Sequence, residues 1–160
     1  MKRTVLIPTD FTIESLNLLK YAAQSAESES INLVLAHGLH LSDSIFDLLF
    51  FSRTETVEKL LNEDFEAAGK ILRNKYASRI NSFRIEIFSG FTQSAFQNFL
   101  SGNRVTEILL PKTYSFKAVT QRSFDLAPFA RASKYPVKEV DWQAIPNAPE
   151  KNKLAEVFLI

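Results

Sequence analysis

The chain has 160 residues, 46% of them apolar and 23% charged, and its formal net charge is +1. This is the balance of one soluble globular domain whose core needs no metal or disulfide; it excludes a disordered chain, a coiled coil and a fibrous repeat. With no cysteine there is no disulfide, thiol nucleophile or thiolate metal site. No apolar run reaches the ~18 residues of a membrane span, and Val5-Leu6-Ile7 stops at Pro8, short of the ~7–15 residues of a signal-peptide core. A cytoplasmic protein is expected.

Thr4 to Pro8 is a β-branched and apolar run closed by proline, which predicts a buried strand. Thr12 is suited to cap a helix whose apolar stripe is Leu16, Leu19, Ala23 and Ala26. Ile31 to Ala36 predicts a second strand, ended by His37-Gly38. Ser52-x-x-Glu55 is a capping-box pattern. Behind it Val57, Leu61, Phe65, Ala68, Leu72 and Tyr76 mark one face of a single long helix, about seven turns at ~3.6 residues per turn. Phe83 to Phe88 alternates as a third strand. Ala95, Phe96, Phe99 and Leu100 predict a short helix, Val105 to Leu110 a fourth strand, Leu126 to Ser133 a helix and Pro136 to Trp142 a fifth strand. Gln143 to Lys153 is polar and leads to an apolar end, Leu154 to Ile160. The expected organisation is a domain over 1–142 and a linker with an apolar tail over 143–160.

Alternating strands and helices with near-continuous apolar strands predict an α/β fold, a doubly wound parallel sheet with helices on both faces. Ligands of such sheets bind beyond the carboxyl ends of the strands, where strand order reverses. The segments to search are therefore Pro8 to Thr12, His37 to His40, Ser89 to Thr92 and Pro111 to Ser115.

Charge is uneven. Residues 103–138 carry seven Lys/Arg against Glu107 and Asp125, a net of +5. Such a segment is either a solvated positive face or a local anion site built on Lys112, Lys117 and Arg122. His37-x-x-His40, with Asp43 nearby, offers two metal ligands. Zinc needs three or four, and the helical H-E-x-x-H setting is missing, so no metal is expected. There is no Ser-His-Asp order, nucleophile elbow or Walker loop, so no residue is assigned as catalytic and no enzyme is expected. Ile45-Phe46-x-Leu48-Leu49-Phe50-Phe51 is an apolar stretch where a connection is normally polar. It reads as a turn folded onto the core or a lid for a ligand or partner.

The opening Val5-Leu6-Ile7-Pro8-Thr9-Asp10-Phe11-Thr12, with Ser15-Leu16 and Tyr21-Ala22 behind it, resembles the first strand and helix of the universal stress protein family. A second strand ending at His37, Gly90 after the third, Val105 to Leu110, and Tyr135-Pro136-Val137 fall in that family's order, and the resemblance spans residues 3–142. It implies a five-stranded parallel sheet of order 3-2-1-4-5 and a homodimer joined through the last strand; the tail Leu154 to Ile160 is itself too apolar to stand in water and is expected to pack on its own sheet edge or the partner's.

One branch of the family binds ATP through a glycine-rich loop after strand four. There, glycines let backbone N–H groups approach phosphate at a helix N-terminus. All four glycines here, Gly38, Gly69, Gly90 and Gly102, precede that point. Pro111 and Tyr114 stand at the first two glycine positions, and Arg122-Ser123 is nearest to the closing pair. Pro111 lacks an N–H and Tyr114 adds bulk. Pro128 sets the start of the last helix near Asp125, whose carboxylate as a cap repels phosphate. ATP is therefore not expected as a cofactor.

In the ATP-binding branch the acid matching Asp10 contacts the nucleoside; the plainer role is that Asp10 and Thr12 cap the turn. The candidate ligand-binding residues are Thr9, Asp10, Phe11, Thr12, His37, Lys112, Thr113, Arg122 and Ser123. The leading expectation is a dimeric stress-response or partner-binding protein. The alternative is a small-ligand binder, for a nucleotide or another anion, using the strand-one and strand-four loops. No nucleic-acid or membrane partner is expected.

Overall fold

A computed structural model describes residues 3–26, 29–41, 49 and 51–141. The elements are β1 (Thr4–Pro8), α1 (Leu16–Ser25), β2 (Ile31–Leu39), α2 (Arg53–Leu60), α3 (Glu63–Lys75), β3 (Ile80–Phe88), α4 (Gln93–Gly102), β4 (Glu107–Pro111), β5 (Ser123–Phe124), α5 (Ala127–Ala132) and β6 (Val137–Val140). The parallel strands run in the order β3-β2-β1-β4-β6, the expected path, and the short β5 adds antiparallel to β2.

Alternate residues of a strand face opposite sides of the sheet. Val5, Ile7, Leu33 and Leu35 pack with Leu16 and Leu19 of α1 and Phe65 and Leu72 of α3. Leu6, Val34, Ile108 and Leu110 pack on the other face with Phe96 and Leu100 of α4 and Ala130 of α5. Both faces are covered, so β1 and β2 consist of near-continuous apolar runs. Ile85 and Val137, on the outer strands, are only half-buried.

The single long helix expected behind Ser52 is two helices. Ser52 does cap α2, its hydroxyl accepting from Glu55 N–H. The helix then ends at Leu61, which is extended (ψ 148°). Asn62 restarts it: Oδ1 accepts from Phe65 N–H at 2.8 Å, with Glu63, Asp64 and Glu66 in the first turn of α3. The apolar spacing runs on across the break, which hides it. Asn is among the strongest N-cap residues, and acids favour a helix start.

Asn62 also reaches across to the loop after β1, donating from Nδ2 to Phe11 O at 2.9 Å. Asn62→Ala removes both bonds and should cost about 1–2 kcal/mol, measurable as a lower urea midpoint. A wild-type midpoint would deny Asn62 this role.

Of the apolar 45–51 stretch, Ile45, Phe46, Leu48 and Phe50 lie outside the described residues; Leu49 is 73% exposed. Trp142 and the 143–160 linker and tail also lie outside them. No helix among the described residues is long and apolar enough to cross a membrane.

Candidate functional site

β1 delivers the chain into the crevice beside β4. Thr9 N–H still bonds Ala36 O at 2.8 Å, and the backbone then reverses at Phe11, whose φ is +57°. A bulky residue in that region is strained by about 1–3 kcal/mol and needs support. Support comes from Phe11 N–H to Thr9 Oγ1 (3.1 Å), from Asn62 on its carbonyl, and from ring contacts with His37 (4.9 Å) and Phe65 (5.3 Å).

The reversal turns Asp10 inward, where it is 3% exposed. Its Oδ1 accepts from Thr12 N–H (3.2 Å) and from the Thr12 hydroxyl (2.5 Å). Its Oδ2 accepts from the Tyr114 phenol (2.5 Å) and from Lys117 N–H (3.0 Å). The Thr12 hydroxyl also takes Ser15 N–H at 3.3 Å, which caps the turn ahead of α1; the N-cap position of the helix itself is Ser15. Burial, reinforced by the bond to Asp10, raises the Tyr114 pKa, so the phenol stays protonated and donates at neutral pH.

The second strand runs past its expected end, and His37 lies inside β2 at 0% exposure. Nδ1 contacts Thr9 O at 2.8 Å and Nε2 contacts Ser123 Oγ at 2.9 Å. A carbonyl only accepts, so Nδ1 carries the proton and neutral Nε2 accepts from the Ser123 hydroxyl. This ties β5 down. β1 ends opposite Ala36, and β5 takes up pairing with β2 at Gly38 and Leu39. β3 fills the other side of Gly38, so β5 lies in line with β1, across its end. The approach is close: a Cβ on Gly38 would stand 2.5 Å from Phe124 O. His40 completes the closure, its N–H bonding Arg122 O (2.8 Å) and its ring stacked between Phe124 (4.2 Å) and Phe91 (5.0 Å).

The candidate residues thus divide. Thr9, Asp10, Phe11, Thr12, His37 and Ser123 form one bonded group. Lys112, Thr113 and Arg122 are exposed, and Lys117 reaches Asp10 by its backbone. Pro128 stands in the first turn of α5, as the sequence predicts, but the N-cap position is Leu126 and not Asp125: Asp125 lies one residue earlier, and its Oδ1 accepts from Ala127 N–H at 2.9 Å in a local turn. Beside the group is a cavity of about 400 Å³ whose lining includes Asp10, Leu18, Tyr114, Phe116, Asp125 and Arg131. Arg131 is held by Glu139 at 3.0 Å.

Among solved structures, the chain is similar to a universal stress protein in complex with cAMP, at 18% identity and a TM-score of 0.50 over 88% of this chain and 97% of that one. It is similar to the protein MJ0577 at 14% identity and a TM-score of 0.50, over 88% and 96%. A universal stress protein family protein from Arabidopsis thaliana with AMP bound aligns at 9% identity and a TM-score of 0.47, over 94% and 98%. The chain has the universal stress protein fold. No family model matches the sequence, and no curated protein matches it.

Residues 112–124, from the end of β4 through β5, form a strap bonded to Asp10, His37 and β2. Sequence reasoning missed Tyr114 as the partner of Asp10, along with Asn62, Phe116 and Arg131. Only Asn62 carried a signal, as an N-cap residue followed by acids.

The strap makes stability depend on pH. Burial lowers the His37 pKa below its ordinary 6.5, outweighing the bond to Thr9 O and the charge of Asp10. The unfolded state then binds a proton more readily than the native state. The contribution is whole above pH 6.5 and declines as pH falls from there to the lowered native value, by up to ~1.4 kcal/mol per unit. The urea midpoint should therefore drop between about pH 7.5 and 5.5, with a shallower drop in His37→Gln. Equal slopes would contradict this.

Proposed function

We propose that this is a universal-stress-type protein whose nucleotide cleft is closed by its own strap, and that it acts without catalysis as a cytoplasmic, dimeric stress-response or partner-binding protein. One observation carries the reading: both oxygens of Asp10, the acid matched to the nucleoside contact of the ATP-binding branch, are taken by Thr12, Tyr114 and Lys117 N–H. A nucleotide would have to displace the phenol and the strap's backbone. It would gain no glycine loop in return, and it would meet the Asp125 carboxylate at the start of α5. The dimer is assigned to the last strand, β6, and to the tail.

A second reading is favoured by the cavity of about 400 Å³ beside Asp10. Its size suits a small ligand, and one fold neighbour holds cAMP. Mass spectrometry of the purified protein after denaturation separates the two. The leading reading expects no released nucleotide, and a stoichiometric one would establish the second.

A further inference from the structure

The end of the sheet away from Asp10 carries a second cavity, of about 570 Å³, lined by Thr4, Asn32, Ser101, Arg104, Thr106 and Tyr135 with Val105. Thr4 opens β1 and Thr106 precedes β4, so the cavity lies at the amino ends of the strands.

Arg104 is the unusual member. α4 closes with Asn103 N–H on Phe99 O (3.1 Å), Arg104 N–H on Ser101 O (3.0 Å) and Val105 N–H on Leu100 O (3.0 Å). Arg104 takes the left-handed position of this cap, with φ +57°, where glycine or asparagine is preferred. The strain gains no bond inside the protein, because its guanidinium makes no hydrogen bond or ion pair among the described residues. The other described arginines at this end are engaged, Arg3 with Glu107, Arg79 with Gln24 O and Arg84 with Asn103 O. Around Arg104 are hydroxyls and an amide. Ser101 Oγ and Tyr135 OH are 3.0 Å apart, and Asn32 Nδ2 approaches Thr4 Oγ1 at 3.4 Å.

We infer that this cavity is a binding site for a small organic anion, with Arg104 holding the oxyanion, the hydroxyls of Ser101 and Tyr135 beside it, and Val105 and the Tyr135 ring receiving an apolar body. A guanidinium presents a planar fork of donors that matches phosphate and carboxylate. The competing account makes Arg104 a cation serving the negative end of α4. The two accounts disagree about the same variant. If Arg104 serves the helix, Arg104→Gly melts lower. If it serves a ligand, the glycine relieves the backbone and melts at the same temperature or higher.

The test is calorimetric titration with phenyl phosphate, with phenol and inorganic phosphate as controls, alongside thermal melts. Saturable binding of phenyl phosphate is expected, with none for phenol and weaker binding of inorganic phosphate. Arg104→Gly should lose about tenfold or more in affinity without losing thermal stability, and Arg104→Lys should fall between. The inference is overturned if wild-type protein shows no saturable binding, if binding survives in Arg104→Gly, if phosphate and phenyl phosphate bind alike, or if Arg104→Gly melts lower.

Discussion

Leu109→Asp will not fold. Leu109 is 3% exposed on β4, which lies between β1 and β6, and it faces the core shared with α1. A carboxylate there meets the apolar side chains of the core, and the cation next to it in register, Lys138 of the exposed outer strand, already sits over the Tyr21 ring at 5.0 Å. The carboxylate must be buried charged, or be protonated at a cost that grows with pH. Either way the penalty is several kcal/mol, against a total stability of about 5–15 kcal/mol for a domain of this kind. The lost leucine packing adds about 2–5 kcal/mol. Circular dichroism with a thermal melt reads the result. A soluble, cooperatively melting Leu109→Asp protein would remove β4 from the centre of the sheet.

Gly38→Val will detach the strap while leaving the sheet intact. The Cβ at this position would lie 2.5 Å from Phe124 O and 2.8 Å from its ring. The backbone oxygen cannot retreat without breaking the pairing of β5 with β2. Overpacking of this kind costs about 1–3 kcal/mol, and here the escape is to lift β5, because β2 is fixed on its other side by β3. The His37–Ser123 and His40–Arg122 bonds are then lost together. Trypsin reads the outcome directly, since Lys117 and Arg122 lie in the freed segment, and cleavage there should become faster than in wild type. A Gly38→Val protein as resistant as wild type, with an unchanged urea midpoint, would contradict the closure.

The fold was legible in the sequence because its signals are local. A β-branched run ended by Pro8, the Ser52-x-x-Glu55 capping box and Pro128 in the first turn of the last helix each mark an element by backbone chemistry. Two features escaped for different reasons. The break between α2 and α3 is silent in the apolar spacing, which continues from Val57 to Tyr76; only the polar Asn62 marks it. β5 has two residues, too few for any periodicity, and it exists because residues far away in sequence, Gly38 and His37, make a place for it. That same placement extends β2 to Leu39 and moves His37 from a strand end to a strand interior. The site was half legible. Asp10 and its neighbours follow from where β1 ends, whereas Tyr114 finds Asp10 across more than a hundred positions and reads in the sequence only as a bulky residue in a loop.

Calorimetry with Mg-ATP at physiological salt tests the closed cleft most directly. Several backbone donors aimed at phosphate are missing, and each ~1.4 kcal/mol lost is tenfold in affinity. The predicted result is millimolar binding or none. A micromolar dissociation constant that disappears in Asp10→Ala and Arg122→Ala would contradict the account and establish the cleft as a nucleotide site.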